Sequence, residues 1–532
     1  MHRILILTLV CGLVACGNDS ERSFSVQKQA AQTAQHLPAE LIQLVPADAS
    51  VFVYVRSFDA VQRMWIKLGQ MGDGAPPVDP VATLAMQGGF DPTQVSRDRP
   101  AAMAISFPAG QPMPIPTYIL PVKDAKWVAS SYQRGTSAVR GGYVALSMSP
   151  DYKPDGRARL TKSVPDGDLV VRLDLDKLFR DHREEVLGLI GMAQAGAMQS
   201  SVRDGVDSSQ VLGDVFGKLR AAVASAETLD LSVGMKQAVF SAEFAFTVKK
   251  GSSLANSGDA SRLRELAAHL PRDYPAVLFF ELDVKSWMEM AHPMMVSASA
   301  KMPEAQRAEF LQTMEGLDGS LQNLGNDWMV GFSVDADGFH VAGANTASDA
   351  RAYVNQYLAL ARGKAMDALG ITLKDEGERK TGNAMLRRLR LQFDSKKFLD
   401  GVEPPAALTA LFGGAVCDLA STEDRLLVAW DKKPGIAERM LESRSPPRAL
   451  QEVLDRIPGD LSFLLHVELR PFLRGLADFA RTFEHNKPIP QIPEGDAAAL
   501  TVYATRHDRT HRLGLRFDTE ELGAVIHDMK GD

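Results

Sequence analysis

The residues best suited to chemistry in this chain form one cluster: Met288, Met290, His292, Met294 and Met295, with Met302 just beyond. Thioethers and an imidazole are soft ligands that suit Cu(I), and the same side chains could line a pliable surface for an apolar ligand. Methionine also fills irregular cores, and that is the reading the surrounding pattern favours. Pro293 falls inside the run and is expected to end a helix early there. Two polar groups are weaker. His507 and His511 flank Asp508, a set that could begin a metal site, but they sit at the tip of a hairpin with no further ligand at hand. His182, Glu184 and Glu185 lie at the start of a helix, where acidic residues suit the macrodipole. Cys417 ends the apolar run Gly413-Gly414-Ala415-Val416-Cys417 and reads as a small buried hydrophobe, because no histidine is near it in sequence.

Motifs for established chemistries are missing. The chain has no Gly-x-Ser-x-Gly, His-Glu-x-x-His, Walker A or Cys-x-x-Cys sequence. Gly69, Gly72 and Gly74 follow a helix and precede Pro76-Pro77, whereas a nucleotide loop follows a strand and opens a helix, so this stretch reads as a linker. No catalytic residue, metal or cofactor is therefore assigned.

The elements that must position these residues recur. A turn with Pro and Asp leads into an apolar strand, which leads into an amphipathic helix. The turns are Val45-Pro46-Ala47-Asp48, Val164-Pro165-Asp166-Gly167-Asp168, Leu270-Pro271-Arg272-Asp273 and Ile457-Pro458-Gly459-Asp460. The helices are expected from Phe58 to Leu68, through Leu178 and Phe179 to Met192, around Trp287, and through Phe472, Leu473 and Leu476. A β-hairpin follows each: Ala101 to Phe107 with Thr117 to Val122, Leu229 to Met235 with Val239 to Val248, Trp328 to Val334 with Phe339 to Ala344, and Leu500 to Thr505 with Arg512 to Phe517. Hairpins one and three continue into helices that open alike, at Lys123-Asp124-Ala125 and Ser348-Asp349-Ala350, whereas hairpins two and four lack that continuation. The pattern predicts an α+β fold of tandem duplicated modules, each a strand, a helix and an antiparallel hairpin, with helices packed on one face of each sheet. The modules pair into a first half, residues 38–260, and a second half, 261–532, which carries an inserted hairpin from Ile371 to Phe393.

The N-terminus supplies an address. Met1-His2-Arg3 is a positive n-region, Ile4 to Val14 is an apolar run too short to span a bilayer, and Leu13-Val14-Ala15-Cys16 follows the order of a lipobox. This segment resembles the signal of bacterial lipoproteins. The resemblance implies cleavage before Cys16 and acylation of Cys16, with residues 1–15 as signal peptide and 16–37 as a flexible tether rich in Ser, Gln, Asn and Ala. Gly17, where Asp would signal inner-membrane retention, implies the periplasmic face of the outer membrane. Lipobox and repeated modules together are similar to bacterial envelope proteins of a repeated domain of unknown function.

Composition excludes one class of partner. Lys and Arg number 59 against 66 Asp and Glu, a net charge of −7, and the densest basic run, Arg387-Arg388-Leu389-Arg390, alternates as a strand does. Nucleic-acid binding needs clustered cations on one face. With Cys11 removed and Cys16 acylated, Cys417 has no disulfide partner, so packing must stabilise the body. The expected function is a noncatalytic binding or scaffolding module, held to the membrane by its lipid and contacting another envelope protein. The alternatives are a carrier of a lipid or other apolar ligand in a cavity lined by Met288, Met294, Phe279 and Phe280, and a hydrolase with a non-local active site. If Cys16 carries the anchor, Cys16→Ala leaves a folded body that fractionates with soluble protein; a variant still held in the membrane pellet would refute a single lipid anchor.

Overall fold

The protein is described by a computed structural model covering residues 36–71, 79–108, 113–155, 159–162, 164–203, 209–252, 262–299, 304–361, 371–393, 416–432, 435–482, 489, 492–495 and 498–530. Cys16 and nearly all of the expected tether lie outside these residues, as do Gly72, Gly74 and Met302.

The first half contains the strands β1 (Ala49–Val55), β2 (Ala101–Ser106), β3 (Ile115–Pro121), β4 (Thr136–Arg140), β5 (Tyr143–Ser147), β6 (Leu169–Asp174), β7 (Ala226–Lys236) and β8 (Val239–Val248). The second half adds β9 (Ala276–Glu281), β10 (Leu324–Asp335), β11 (Gly338–Ala347), β12 (Ile371–Thr381), β13 (Ala384–Phe393), β14 (Val416–Ser421), β15 (Arg425–Asp431), β16 (Asp460–Glu468), β17 (Ala499–His507) and β18 (Thr510–Asp518). All eighteen join one antiparallel sheet. Its spatial order is β4-β5-β3-β2-β1-β6-β7-β8 and then β18-β17-β16-β9-β10-β11-β15-β14-β13-β12. The separate sheets expected of the modules are thus one sheet, which crosses the midpoint of the chain where β8 pairs with β18 from Val239↔Asp518 to Thr247↔Thr510. Its free edges among the described residues are β4 and the charged strand β12.

Fifteen helices are described: α1 (Ala39–Ile42), α2 (Phe58–Gln70), α3 (Pro80–Gly88), α4 (Ala125–Ser131), α5 (Leu175–Asp181), α6 (Arg183–Arg203), α7 (Ser209–Ser225), α8 (Leu263–Leu266), α9 (Val284–Ser299), α10 (Glu304–Leu321), α11 (Ala350–Ala361), α12 (Ile436–Glu442), α13 (Arg448–Arg456), α14 (Leu469–Arg481) and α15 (Thr519–Lys530). Asp124 and Asp349, singled out by their like openings, cap α4 and α11 by accepting from the amides of Trp127 and Ala352 at 3.0 and 2.8 Å.

Helices pack on both faces of the sheet toward its two ends, not on one. In the first half Leu41, Leu44 and Leu160 pack with Phe52, Tyr54 and Ile119 on one face, while Val81, Ala125 and Val128 pack with Tyr118, Leu120 and Val144 on the other. The second half repeats this. Leu263, Met440 and Leu454 meet Val277, Phe279 and Leu427, and Ala350, Val354 and Leu358 meet Leu389, Leu419 and Leu426 on the reverse side. The cause is visible in the strands: β5 and β14 are buried at every position, so both of their faces need cover.

Three further expectations change. The helix through Leu178 and Phe179 to Met192 is two helices, broken at His182 (φ −136°, ψ 40°), whose Nε2 donates to the Phe107 carbonyl at 3.1 Å. Pro293 does not end α9, which continues to Ser299; pairing with α10 and packing against β10 outweigh the lost backbone hydrogen bond. Hairpin four is followed by a helix, α15, because Asp518 caps it by accepting from the amides of Glu520 and Glu521 at 2.9 and 3.0 Å.

The seam between β8 and β18 centres on a buried carboxylate. Glu243 of β8 accepts from Arg512 Nη1 at 2.9 Å and from the Tyr503 hydroxyl at 3.2 Å, both from the second half. The Tyr503 ring lies across Gly514, where a Cβ would stand 2.1 Å from the ring, so only glycine admits it. Removing one partner of a buried ion pair strands the other charge. Arg512→Ala is therefore expected to lower stability by about 2–4 kcal/mol, read as a lower urea midpoint; an unchanged midpoint would show that the seam does not depend on this pair.

Candidate functional site

Strand alternation and register decide what each face of the central strands presents. On one face the register aligns Val53, Val171, Leu231, Phe244, Leu513, Ala504, Phe463, Phe280 and Trp328 in a single row across β1, β6, β7, β8, β18, β17, β16, β9 and β10. A parallel row holds Val55, Leu169, Val233, Ala242, Leu515, Val502, Leu465, Leu278 and Val330. Every residue in both rows is apolar. At a strand spacing of about 4.8 Å, nine strands make a band roughly 40 Å long. Yet none of these side chains is fully buried, and Leu231, in the first row, is 38% exposed.

The opposite face has the reverse character. There Arg172 and Asp230 form a buried bidentate pair, with Nε–Oδ1 at 2.6 Å and Nη2–Oδ2 at 2.9 Å, and Arg172 also donates to the Leu160 and Lys162 carbonyls. Glu243, Ser232, Thr501 and Thr505 are buried beside it, and His466 Nδ1 lies 3.0 Å from Thr501 Oγ1. Buried polar groups opposite a continuous apolar band that is only partly covered are the unusual combination, since a lone exposed leucine says little.

Helices stand at the margins of the band. Met64 and Lys67 of α2 meet Met235 of β7 in a cleft of about 440 Å³ that also takes in Arg56, Arg63 and Asp168. Its charges are largely matched, since Arg56 pairs with Asp166 and Asp168 and Lys67 pairs with Glu520. At the other end Gly475 of α14 lies against Val334 of β10, close enough that a Cβ would strike the Val334 carbonyl.

No family model and no curated protein matches this chain. Among solved structures, crystal forms III and I of TP0453 are similar at 12% and 11% identity, with TM-scores of 0.22 and 0.21, covering 51% of this chain and 98% and 99% of theirs. A likeness of that size fixes neither site nor activity.

The residues singled out for chemistry lie on α9, on β14, at the β17–β18 hairpin and at the start of α6. Met288 is buried and His292 is exposed on α9. Met290, Met294 and Met295 fall within α9, with side chains outside the described residues. Phe279 is fully buried in the second-half core while Phe280 points to the opposite face, as adjacent strand residues must, so the cavity expected to contain both is not formed. Burial pushes the Cys417 thiol up to about 12, which disfavours a thiolate. His507 and Asp508 stay at the hairpin tip, 3.8 Å apart, and no group of three His, Cys, Asp or Glu able to hold a metal occurs among the described residues. The basic run on β13 is spent on ion pairs: Arg387 with Asp375, Arg388 with Asp418, Arg390 with Glu376.

Two histidines respond to pH in opposite senses. The carboxylates of Asp431 and Asp335, 3.0 and 2.9 Å from its ring nitrogens, hold His340 up at about 9 from 6.5. Its stabilisation is complete below pH 6.5 and is lost as pH rises through about 9. Burial holds His466 down at about 4, so the neutral ring favours the folded state and stability falls as pH drops from 6.5 toward 4. Unfolding free energy should accordingly peak near pH 6.5. His340→Gln should flatten the alkaline limb and His466→Gln the acid limb; limbs that persist in these variants would assign the titration to other groups.

Proposed function

We propose that this protein is a lipid-anchored envelope protein that binds apolar chains, without catalysis, on the open face of its central sheet. The observation that carries this reading is the pair of apolar rows, continuous over nine strands and nowhere fully covered. A protein needs no such surface for its own stability, since leaving apolar area in water forgoes about 25 cal/mol per Å². A long apolar ligand laid along the rows recovers that free energy. The same surface favours a carrier over a scaffold, because a strip one or two side chains wide suits a chain better than a globular partner.

The address follows from Cys16: acylation would tether the body to the periplasmic face of the outer membrane, beside a source of acyl chains. We also infer that the two halves are tandem copies of one unit. In support, β1 to β8 follow the order β4-β5-β3-β2-β1-β6-β7-β8, and β14-β15-β11-β10-β9-β16-β17-β18 matches it strand for strand. The hairpin β12–β13 is then the addition, placed outside β14.

Phe244 and Leu513 face each other across the seam in the middle of the first row. A fluorescent hexadecanoyl probe should bind the purified Cys16→Ala protein, and Phe244→Glu or Leu513→Glu should weaken it about tenfold or more while far-UV circular dichroism is unchanged. Equal binding by all three proteins would remove the band as the site, and absence of binding to any would remove the carrier reading.

A further inference from the structure

The first apolar row ends at one particular side chain. Beyond Trp328 the register continues to Asn345 of β11, the first polar residue in the row, and the two are direct cross-strand neighbours on the same face. Trp328 stacks on Phe280, rings nearly parallel at 8° with centroids 6.0 Å apart, which fixes the indole at the end of the band. Its Nε1 is shut off from solvent and has no hydrogen-bond partner among the described residues. Asn345 is 3% exposed, and its amide nitrogen donates to the Asp327 carbonyl at 2.8 Å and to the Gly325 carbonyl at 3.3 Å. Those two bonds orient the amide and leave Oδ1 buried without a partner. One donor and one acceptor without partners thus belong to directly paired residues where the apolar band stops.

We propose that Trp328 and Asn345 receive a hydroxyl group at the polar end of a long-chain ligand lying along the band. This rests on the carrier reading and names the ligand class within it: a neutral amphiphile such as a long-chain alcohol or a monoacylglycerol. Chemistry selects the group. A hydroxyl both accepts and donates, so it satisfies Trp328 Nε1 and Asn345 Oδ1 together. A carboxylate would accept from Trp328 but set a second acceptor, carrying full charge, against Asn345 Oδ1. An ammonium would donate to Asn345 but meet the donor of Trp328. Buried groups left unpaired are costly and become favourable only when a ligand completes them, which is how a polar site rejects analogues lacking the matching group.

The test compares three hexadecyl compounds against the Cys16→Ala protein by displacement of the fluorescent hexadecanoyl probe: 1-hexadecanoylglycerol, hexadecanoate and hexadecane. Expected is about tenfold tighter binding of the monoacylglycerol than of the other two, reduced to parity by Trp328→Phe and by Asn345→Leu. Both variants keep the shape of the apolar band, so hexadecane should bind them as before. If hexadecane and the monoacylglycerol bind equally in the parent protein, or the preference survives both substitutions, the hydroxyl site is overturned while the carrier reading stands. If Asn345→Leu raises the melting temperature and leaves the preference intact, the pair serves a buried water, and the proposal fails. If none of the three compounds displaces the probe, the carrier reading falls with it.

Discussion

Everything on the open face depends on the pairing of β8 with β18. Remove it and the rows divide into two shorter patches, one on each half. The ladder is ordinary, but the carboxylate at its centre is not. Glu243 is buried by one half and satisfied by the other, through Arg512 and Tyr503, so each half is electrostatically incomplete alone. A neutral side chain at 243 would make the first half more self-sufficient and the junction less specific. Arg509 adds a second clasp at the end of the same ladder, donating to Glu227 at 2.6 Å and to the Val248 carbonyl at 2.9 Å.

The two faces of the central strands trade the usual roles of polar and apolar residues. Sealing Arg172 and Asp230 inside requires that their charges be paired, and the bidentate geometry meets that demand. Such a network holds strands at fixed separation and register more tightly than packed aliphatics do. The benefit appears on the reverse side, where the apolar rows stay aligned although no complete layer of helices presses on them. In this sense the polar face supports the apolar one.

Much of the secondary structure was legible because it is encoded locally. Asp124 and Asp349 announce helices by their caps, Asp337-Gly338 announces a turn, and alternation along residues 500–505 announces a strand. The long helices α7 and α10 escaped notice because glycine, alanine and glutamine blur their periodicity, and α15 escaped although Asp518 followed by Thr519-Glu520-Glu521 is a fair N-terminal signal. The apolar rows were illegible for a different reason. Each contributes one residue per strand, so Phe244 and Leu513 become neighbours only through a pairing between residues 269 positions apart. No spacing in the sequence records that. The methionine run is conspicuous along the chain, and all of it up to Met295 falls within α9.

A sheet this broad has just two ends, and they are treated differently. At one, β4 is five residues long. At the other, β12 carries Lys374, Asp375, Glu376, Glu378, Arg379 and Lys380, and Asp375 and Glu376 are zipped to arginines of β13. An unguarded edge on so broad a sheet would recruit the next copy and polymerise. Short length at one end and dense charge at the other act as gatekeepers against that fate. The β12–β13 hairpin thus acts as a stop, set where the sheet would otherwise extend from one molecule into its neighbour.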